Sequence, residues 1–264
     1  MNLKELRVNI DKLDNEIVKL INQRCELAVK VGEWKTQNDI PFYVPEREKE
    51  LFERLSEKNN GPINNKALNF IYREIISAAI ALEKPLKIAF LNSPSFPCAS
   101  EVSRKTFGNS AQFHSQTSIA ALFSSLNRKF VDYIVIPIYD KNFRFLDEIV
   151  ADIPVTAKIC AESKDDRDQN SSVFLIFGHQ EPEPCSFDQS ILLAETGDKD
   201  NVLQIAKSNN IKILNIETFN KNNKENIFIE LVGHINNNNA IYSFINELSK
   251  KNRVHNLGSF TVLN

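Results

Sequence analysis

Arg24 breaks the first clear pattern in this sequence. It occupies the step between Leu20 and Leu27 in a seam of apolar residues, Leu3, Leu6, Ile10, Leu13, Ile17, Leu20, Leu27, Val31 and Trp34, spaced by threes and fours. A guanidinium on such a seam needs a partner, because burying it alone is costly. Two roles meet that need: a buried Arg–Glu pair that sets register, or a cation facing a bound anion. Lys35 lies eleven residues on, within ~20° of the same helix face. Its alternative is a solvated lysine near the negative end of the helix dipole. Arg7 precedes Arg24 by seventeen residues, ~25 Å along the axis, so one small ligand cannot touch both on one helix. In an antiparallel pair of chains, Arg7 of one copy approaches Arg24 of the other; alone, Arg7 reads as a surface residue. Cations converging on a small helical bundle suit a compact polyanion such as a dicarboxylate.

The stretch "VPERE", Val44 to Glu48, follows a turn and opens a second helix at Pro45, a favoured first-turn position. Acids there are stabilised by the dipole whether or not they face a ligand. Arg47 and Glu48 can instead add one cation and one hydroxyl acceptor to the same site. Glu83 stands one turn beyond Ala79 on a third helix; a solvated acid at a helix C-terminus, which the dipole slightly disfavours, is the plain alternative. No Cys/His spacing fits a metal, and no glycine-rich phosphate loop or Ser-His-Asp arrangement is evident. These patterns give no expectation of a metal, a catalytic triad or a phosphate-bearing cofactor.

Composition narrows the class further. The net charge of -2 gives no sign of a nucleic-acid binder. The charged N-terminal stretch carries no signal-peptide h-region, and no apolar run reaches membrane-spanning length. Cys25, Cys98, Cys160 and Cys185 are scattered, which fits free thiols in a reducing cytoplasm.

Three segments position these residues. Residues 1–85 read as all helix, with only Gly32 and Gly61 as glycines. A seam sustained from Leu3 to Trp34 implies a helix of roughly 50 Å. Two short partner helices cannot cover it, so an intertwined helical dimer is expected. Residues 86–187 carry α/β grammar. Strands are expected at "LKIAFL", "DYIVIPIY", "TAKICAE" and "SVFLIFG", with helices at about 99–107, 118–128 and "FRFLDEIVA". The charged stretch "ESKDDRDQNS" reads as a loop. Residues 188–264 alternate as βαββαβ, an α+β ferredoxin-like order, with "NKNNKE" as the turn between the two central strands.

Residues 1–85 resemble the all-helical chorismate mutase domain at the front of bifunctional chorismate mutase–prephenate dehydratases. The likeness runs through Leu6-Arg7, "LDNEIVKLINQRCELAVKVGEWK", "VPERE" and "REIISAAIALEKPL". It implies that Arg24, with Arg7 of a second subunit, binds the two carboxylates of chorismate. Lys35 would meet the ether oxygen and a carboxylate. Glu48, with main chain near Val44, would hold the ring hydroxyl, and Arg47 would add charge. Val44, Ala79 and Glu83 stand where some relatives have Asp, Ser and Gln. Glu83 would assist only when protonated, since a carboxylate repels the ether oxygen.

The second segment resembles a prephenate dehydratase domain that has lost its key residues. "IPIYDK" replaces "PIENS", placing Tyr139, Asp140 and Lys141 at its polar positions. Ser172 and Val173 stand for the Thr and Arg of a Thr-Arg-Phe motif, and a second lobe is missing. The third segment resembles an ACT regulatory domain. "TGDK" keeps Gly197 of one motif and "IETFN" supplies Glu217 and Thr218 of another, an implied amino-acid effector site; a dimerising fold without a ligand is the alternative. The leading expectation is a dimeric chorismate mutase making prephenate. An active bifunctional enzyme and a non-enzymatic regulator that binds an aromatic metabolite are the rivals.

Overall fold

The computed structural model describes residues 2–38, 40–94, 96, 98–165, 172–185 and 188–263. Helix α1 spans Leu3–Gln37, 35 residues, as the seam requires. Asn2 starts it with a reciprocal cap: its side chain accepts from Glu5 N, and the Glu5 carboxylate accepts from Asn2 N, each at 3.0 Å. Helix α2 spans Pro45–Lys58 and opens at the expected proline. Helix α3 spans Asn65–Glu83, is capped by Asn64 and ends just before Pro85. The apolar stripe of α1 is left open in the single chain, with Leu13 58% and Trp34 56% exposed.

The rest of the chain builds one nine-stranded mixed sheet. Its strands are β1 (Lys87–Leu91), β2 (Gln112–Gln116), β3 (Tyr133–Tyr139), β4 (Lys158–Lys164), β5 (Val173–Gly178), β6 (Asp188–Ala194), β7 (Ile213–Lys221), β8 (Lys224–Val232) and β9 (Val254–Val262). Their order is β2-β1-β3-β5-β4-β9-β6-β8-β7. Helices α4 (Ala99–Phe107), α5 (Ile119–Asn127), α6 (Asp147–Ala151), α7 (Lys199–Ser208) and α8 (Asn239–Ser249) cover its faces. The second and third segments are joined edge to edge, because β4 pairs in parallel with β9 through Ala161–Thr261 and Glu162–Val262. A shared core reinforces the join: the Phe145 ring lies 5.2 Å from Phe228 and 6.4 Å from Phe219.

Several sequence expectations need correction. Strand β2, "QFHSQ", was not expected: it is a polar, largely exposed edge strand without apolar alternation. In "FRFLDEIVA" only Asp147–Ala151 is helical. Phe145 instead bridges to Tyr139 in extended form and feeds the shared core. The turn in "NKNNKE" is tighter than its composition suggests. Asn222 and Asn223, with φ of 53° and 59°, make it between paired Lys221 and Lys224, the hairpin chemistry that asparagine tolerates. Most of "ESKDDRDQNS" (166–171) and the segment boundary at 186–187 lie outside the described residues.

Among the buried polar groups of the sheet is a carboxyl pair. Glu162 on β4 and Glu230 on β8 are 2% and 5% exposed. Lys164 Nζ lies 3.0 Å from Glu162 Oε1, and Asn215 Nδ2 donates to Glu230 Oε2 at 2.8 Å. Burial, with the Glu162 charge beside it, pushes the Glu230 carboxyl up to about 7. The folded chain thus retains a proton that the unfolded chain releases near 4.5. Stability should fall as pH rises through that window and level off above it. Thermal unfolding against pH should show this decline in the wild type and a flatter profile in Glu230→Gln. Parallel profiles for the two proteins would refute the assignment.

Candidate active site

The end of α3 packs against α1 at Gly32, the one buried residue of α1 among those described. A Cβ there would stand 2.6 Å from Glu83 Cγ and 2.8 Å from Glu83 Oε2. Glycine mid-helix costs roughly 1 kcal/mol relative to alanine. Here it lets the end of α3 lie against α1, so that Glu83 sits on the same cavity as Arg24 and Lys35. That cavity has a volume of about 300 Å³. Its walls come from α1 (Arg24, Leu27, Ala28, Val31, Lys35), the connector (Phe42, Val44), α2 (Arg47, Glu48, Leu51) and α3 (Ile76, Ala79, Ile80, Glu83).

Most residues singled out in the first segment therefore meet in one place. Lys35 is not a solvated helix-end lysine: its Nζ donates to Phe42 O at 2.8 Å, and burial lowers its pKa, opposed by the charges of Glu83 and Glu48. Arg24 forms no buried pair through Nη1, which is buried without a hydrogen-bond partner. Glu48 is buried, and its Oε1 also lacks a partner. Glu83 Oε2 is the third such atom on this cavity. Burial raises the Glu83 carboxyl, with Lys35 and then Arg24 pulling the other way. Arg47 is exposed and reaches the cavity rim. Arg7 is exposed on α1 and belongs to another part of that helix.

Sequence reasoning missed two supports of this site. Arg73 on α3 ion-pairs with Glu48 Oε2, a partnership across 25 residues that no local pattern signals. Tyr43 is 2% exposed and turns away from the cavity into the sheet domain, its ring 4.8 Å from Phe107 and 5.3 Å from Tyr133. The connector thus fixes Phe42 O and Val44 from behind. Its flanking prolines, Pro41 and Pro45, were the signal available in the sequence.

The third-segment candidates lie on β7 and in the loop before α7, two elements joined where Lys199 Nζ donates to Ile216 O at 2.8 Å. Gly197 lies in the loop before α7 and packs against the Glu225 side chain. Glu217 and Thr218 are consecutive on β7 and point to opposite faces of the sheet. Among the described residues no group of three His, Cys, Asp or Glu could hold a metal, and no helix is long and apolar enough to cross a membrane.

Residues 6–84 match the family model for chorismate mutase type II. This segment is a chorismate mutase type II domain. A curated relative, the bifunctional chorismate mutase/prephenate dehydratase of Aquifex aeolicus, is 41% identical over 140 residues, 52% of this chain. The Stutzerimonas stutzeri protein of the same name is 35% identical over 141 residues. The aligned part spans 38% of the length of each relative. Prephenate dehydratase from Streptococcus mutans shares the fold over 68% of this chain and all of its own, with a TM-score of 0.57 at 18% identity. The mutase domain thus stands ahead of a mixed α/β unit of prephenate dehydratase-like fold.

Gly32→Ala tests the contact that builds the cavity. The added methyl must displace Glu83 or α3, and its overpacking cost of roughly 1–3 kcal/mol outweighs the gain in helix propensity. Urea unfolding should show net destabilisation. A more stable Gly32→Ala would mean that the close approach is not required.

Proposed function

We propose that the chain catalyses the rearrangement of chorismate to prephenate in its helical domain, as a homodimer. The observation that carries this reading is the set of three buried, unpartnered polar atoms, Arg24 Nη1, Glu48 Oε1 and Glu83 Oε2, which surround one cavity with Lys35. Unsatisfied buried polar groups cost free energy unless something binds them. Two donors of positive charge, a hydroxyl acceptor and a carboxyl held toward its neutral form match a dicarboxylate that carries a hydroxyl and an ether oxygen.

The reaction is pericyclic, so the protein needs no nucleophile. Its tasks are to hold the compact conformer and to stabilise negative charge as it grows on the ether oxygen. Arg24 binds one carboxylate. Lys35, already oriented by Phe42 O, faces the second carboxylate and the ether oxygen. Protonated Glu83 donates to that oxygen, and Glu48 accepts from the ring hydroxyl. Arg47 adds charge at the rim. Val44 contributes main chain, and the Ala79 methyl leaves that part of the wall apolar.

Arg7 completes the cage from a second copy. The exposed stripe from Leu3 to Trp34 supports this, since a monomer rarely leaves so long an apolar surface in water. We read residues 1–85 as the mutase unit, 86–187 as a dehydratase-like scaffold and 188–264 as an ACT-like unit. Topology supports the last: β6-α7-β7-β8-α8-β9 gives the spatial order β9-β6-β8-β7. Gly197, Glu217 and Thr218 are the positions we assign to an amino-acid effector, on the side where Lys199 Nζ donates to Ile216 O.

Dehydratase chemistry is not part of this proposal. At the positions where its polar groups are expected, Asp140 is used in a turn, accepting from Asn142 N at 2.8 Å and Arg144 N at 3.0 Å. Val173 is buried and pairs with Tyr139 across the sheet.

Chorismate should disappear on incubation with the protein, with prephenate accumulating and no phenylpyruvate before acid treatment. Direct phenylpyruvate formation would establish the bifunctional reading, and no turnover between pH 5 and 9 would refute the mutase. Lys35→Ala should lower kcat/KM by roughly 10²–10³. Because the neutral form of Glu83 is the donor, activity should fall as pH rises through its raised pKa. Glu83→Gln should abolish that decline, leaving only the loss of the Lys35 charge at more alkaline pH. An alkaline profile unchanged by Glu83→Gln would remove Glu83 from the mechanism.

A further inference from the structure

Glu48 sits between two charged neighbourhoods. On one side its Oε1 lies at the mutase cavity without a partner. On the other, its Oε2 is held by Arg73 Nη1, and the two side chains are 8% and 12% exposed. The Arg73 guanidinium is itself stacked over the Phe52 ring, 4.7 Å from its centroid. It lines a second cavity between the helices and the sheet, with Lys105, Thr106 and Ser163 on the far wall. Arg73 therefore does not reach the space that substrate would fill.

We propose that Arg73 is a positioning residue for the mutase reaction: it clamps one oxygen of Glu48 so that an ionised carboxylate presents the other oxygen to the substrate hydroxyl. This rests on the chorismate mutase reading of the cavity. A fully buried glutamate without Arg73 would favour its neutral form and rotate freely between donor and acceptor roles. Neutral Glu48 could no longer act solely as an acceptor.

The charged and titratable groups facing Glu48 come from several elements. Arg73 lies on α3, Lys35 and Arg24 on α1, Tyr43 on the connector and Tyr133 on β3. Burial raises the Glu48 carboxyl, and Arg73 is the largest influence opposing that rise, ahead of Lys35 and Arg24. The two tyrosines are held neutral by burial and cannot replace the lost cation. Aromatic stacking on Phe52 fixes the guanidinium plane, which a flexible ammonium does not reproduce.

The test combines pH profiles of kcat/KM with ¹³C-carboxyl NMR titration of Glu48 in the full chain. Arg73→Met should move the acid limb of kcat/KM upward by about one pH unit, a tenfold loss at acidic pH, with activity recovering as pH rises. Arg73→Lys, which keeps the charge and guards against misfolding, should show a smaller shift in the same direction. In a Glu48→Gln background, Arg73→Met should shift no acid limb. A pH-independent loss in Arg73→Met, or an acid limb that still shifts in that background, would overturn the proposal. If the wild type fails to consume chorismate, the functional reading falls. The NMR titration still decides the clamp, since an unchanged Glu48 titration in Arg73→Lys and Arg73→Met would refute it.

Discussion

The approach of α3 to α1 at Gly32 is the constraint on which the helical site depends. Four charged groups of the cavity sit on elements located by it: Arg24 and Lys35 on α1, Glu83 at the end of α3, and Glu48 held to α3 through Arg73. Hydrophobic packing alone would tolerate a looser contact, since interior spacing adapts to side-chain size. The missing side chain at one position of a long helix brings a carboxyl within reach of two cations. The helix accepts a local loss of propensity to make that possible.

The cavity is a site made by leaving polar atoms unsatisfied. The Glu48–Arg73 ion pair is directed away from it, whereas Arg24 Nη1, Glu48 Oε1 and Glu83 Oε2 are unmatched. A fold optimised only for stability would pair such groups with one another. Keeping them apart is compatible with binding energy being realised when a dianion of the right shape is present, which is where a reaction needing only conformational restriction and charge stabilisation gains its rate.

The sequence made α1, α2 and α3 legible because apolar spacing, Pro45 and the "EKP" stop are local signals. Arg24 could be marked for the same reason, as a charge that breaks the apolar spacing. Lys35, Glu48 and Glu83 each allow a plain solvated reading and are singled out by the resemblance to chorismate mutase domains more than by local pattern. Arg73 could not, since its side chain acquires meaning only from Glu48 on another helix. The sheet divides similarly. Apolar strands such as β3 and β5 announce themselves, whereas β2 is polar and takes its strand form from pairing with β1. The β4–β9 pairing, which makes one sheet of two segments, joins residues a hundred positions apart and leaves no trace in local composition.

Tyr43 carries a consequence for how such a chain could have been assembled. The family model treats residues 6–84 as a unit, and a unit of that kind can in principle be moved between genes. Here one aromatic ring from its connector is sunk between Phe107 and Tyr133 of the neighbouring domain. Its hydroxyl is sealed from water, while Tyr133 donates to Tyr43 O at 3.4 Å. A freestanding copy of the helices would have to expose that ring or replace it. The joint is therefore a structural tie as well as a linker, and separating the two units would first require a change at Tyr43.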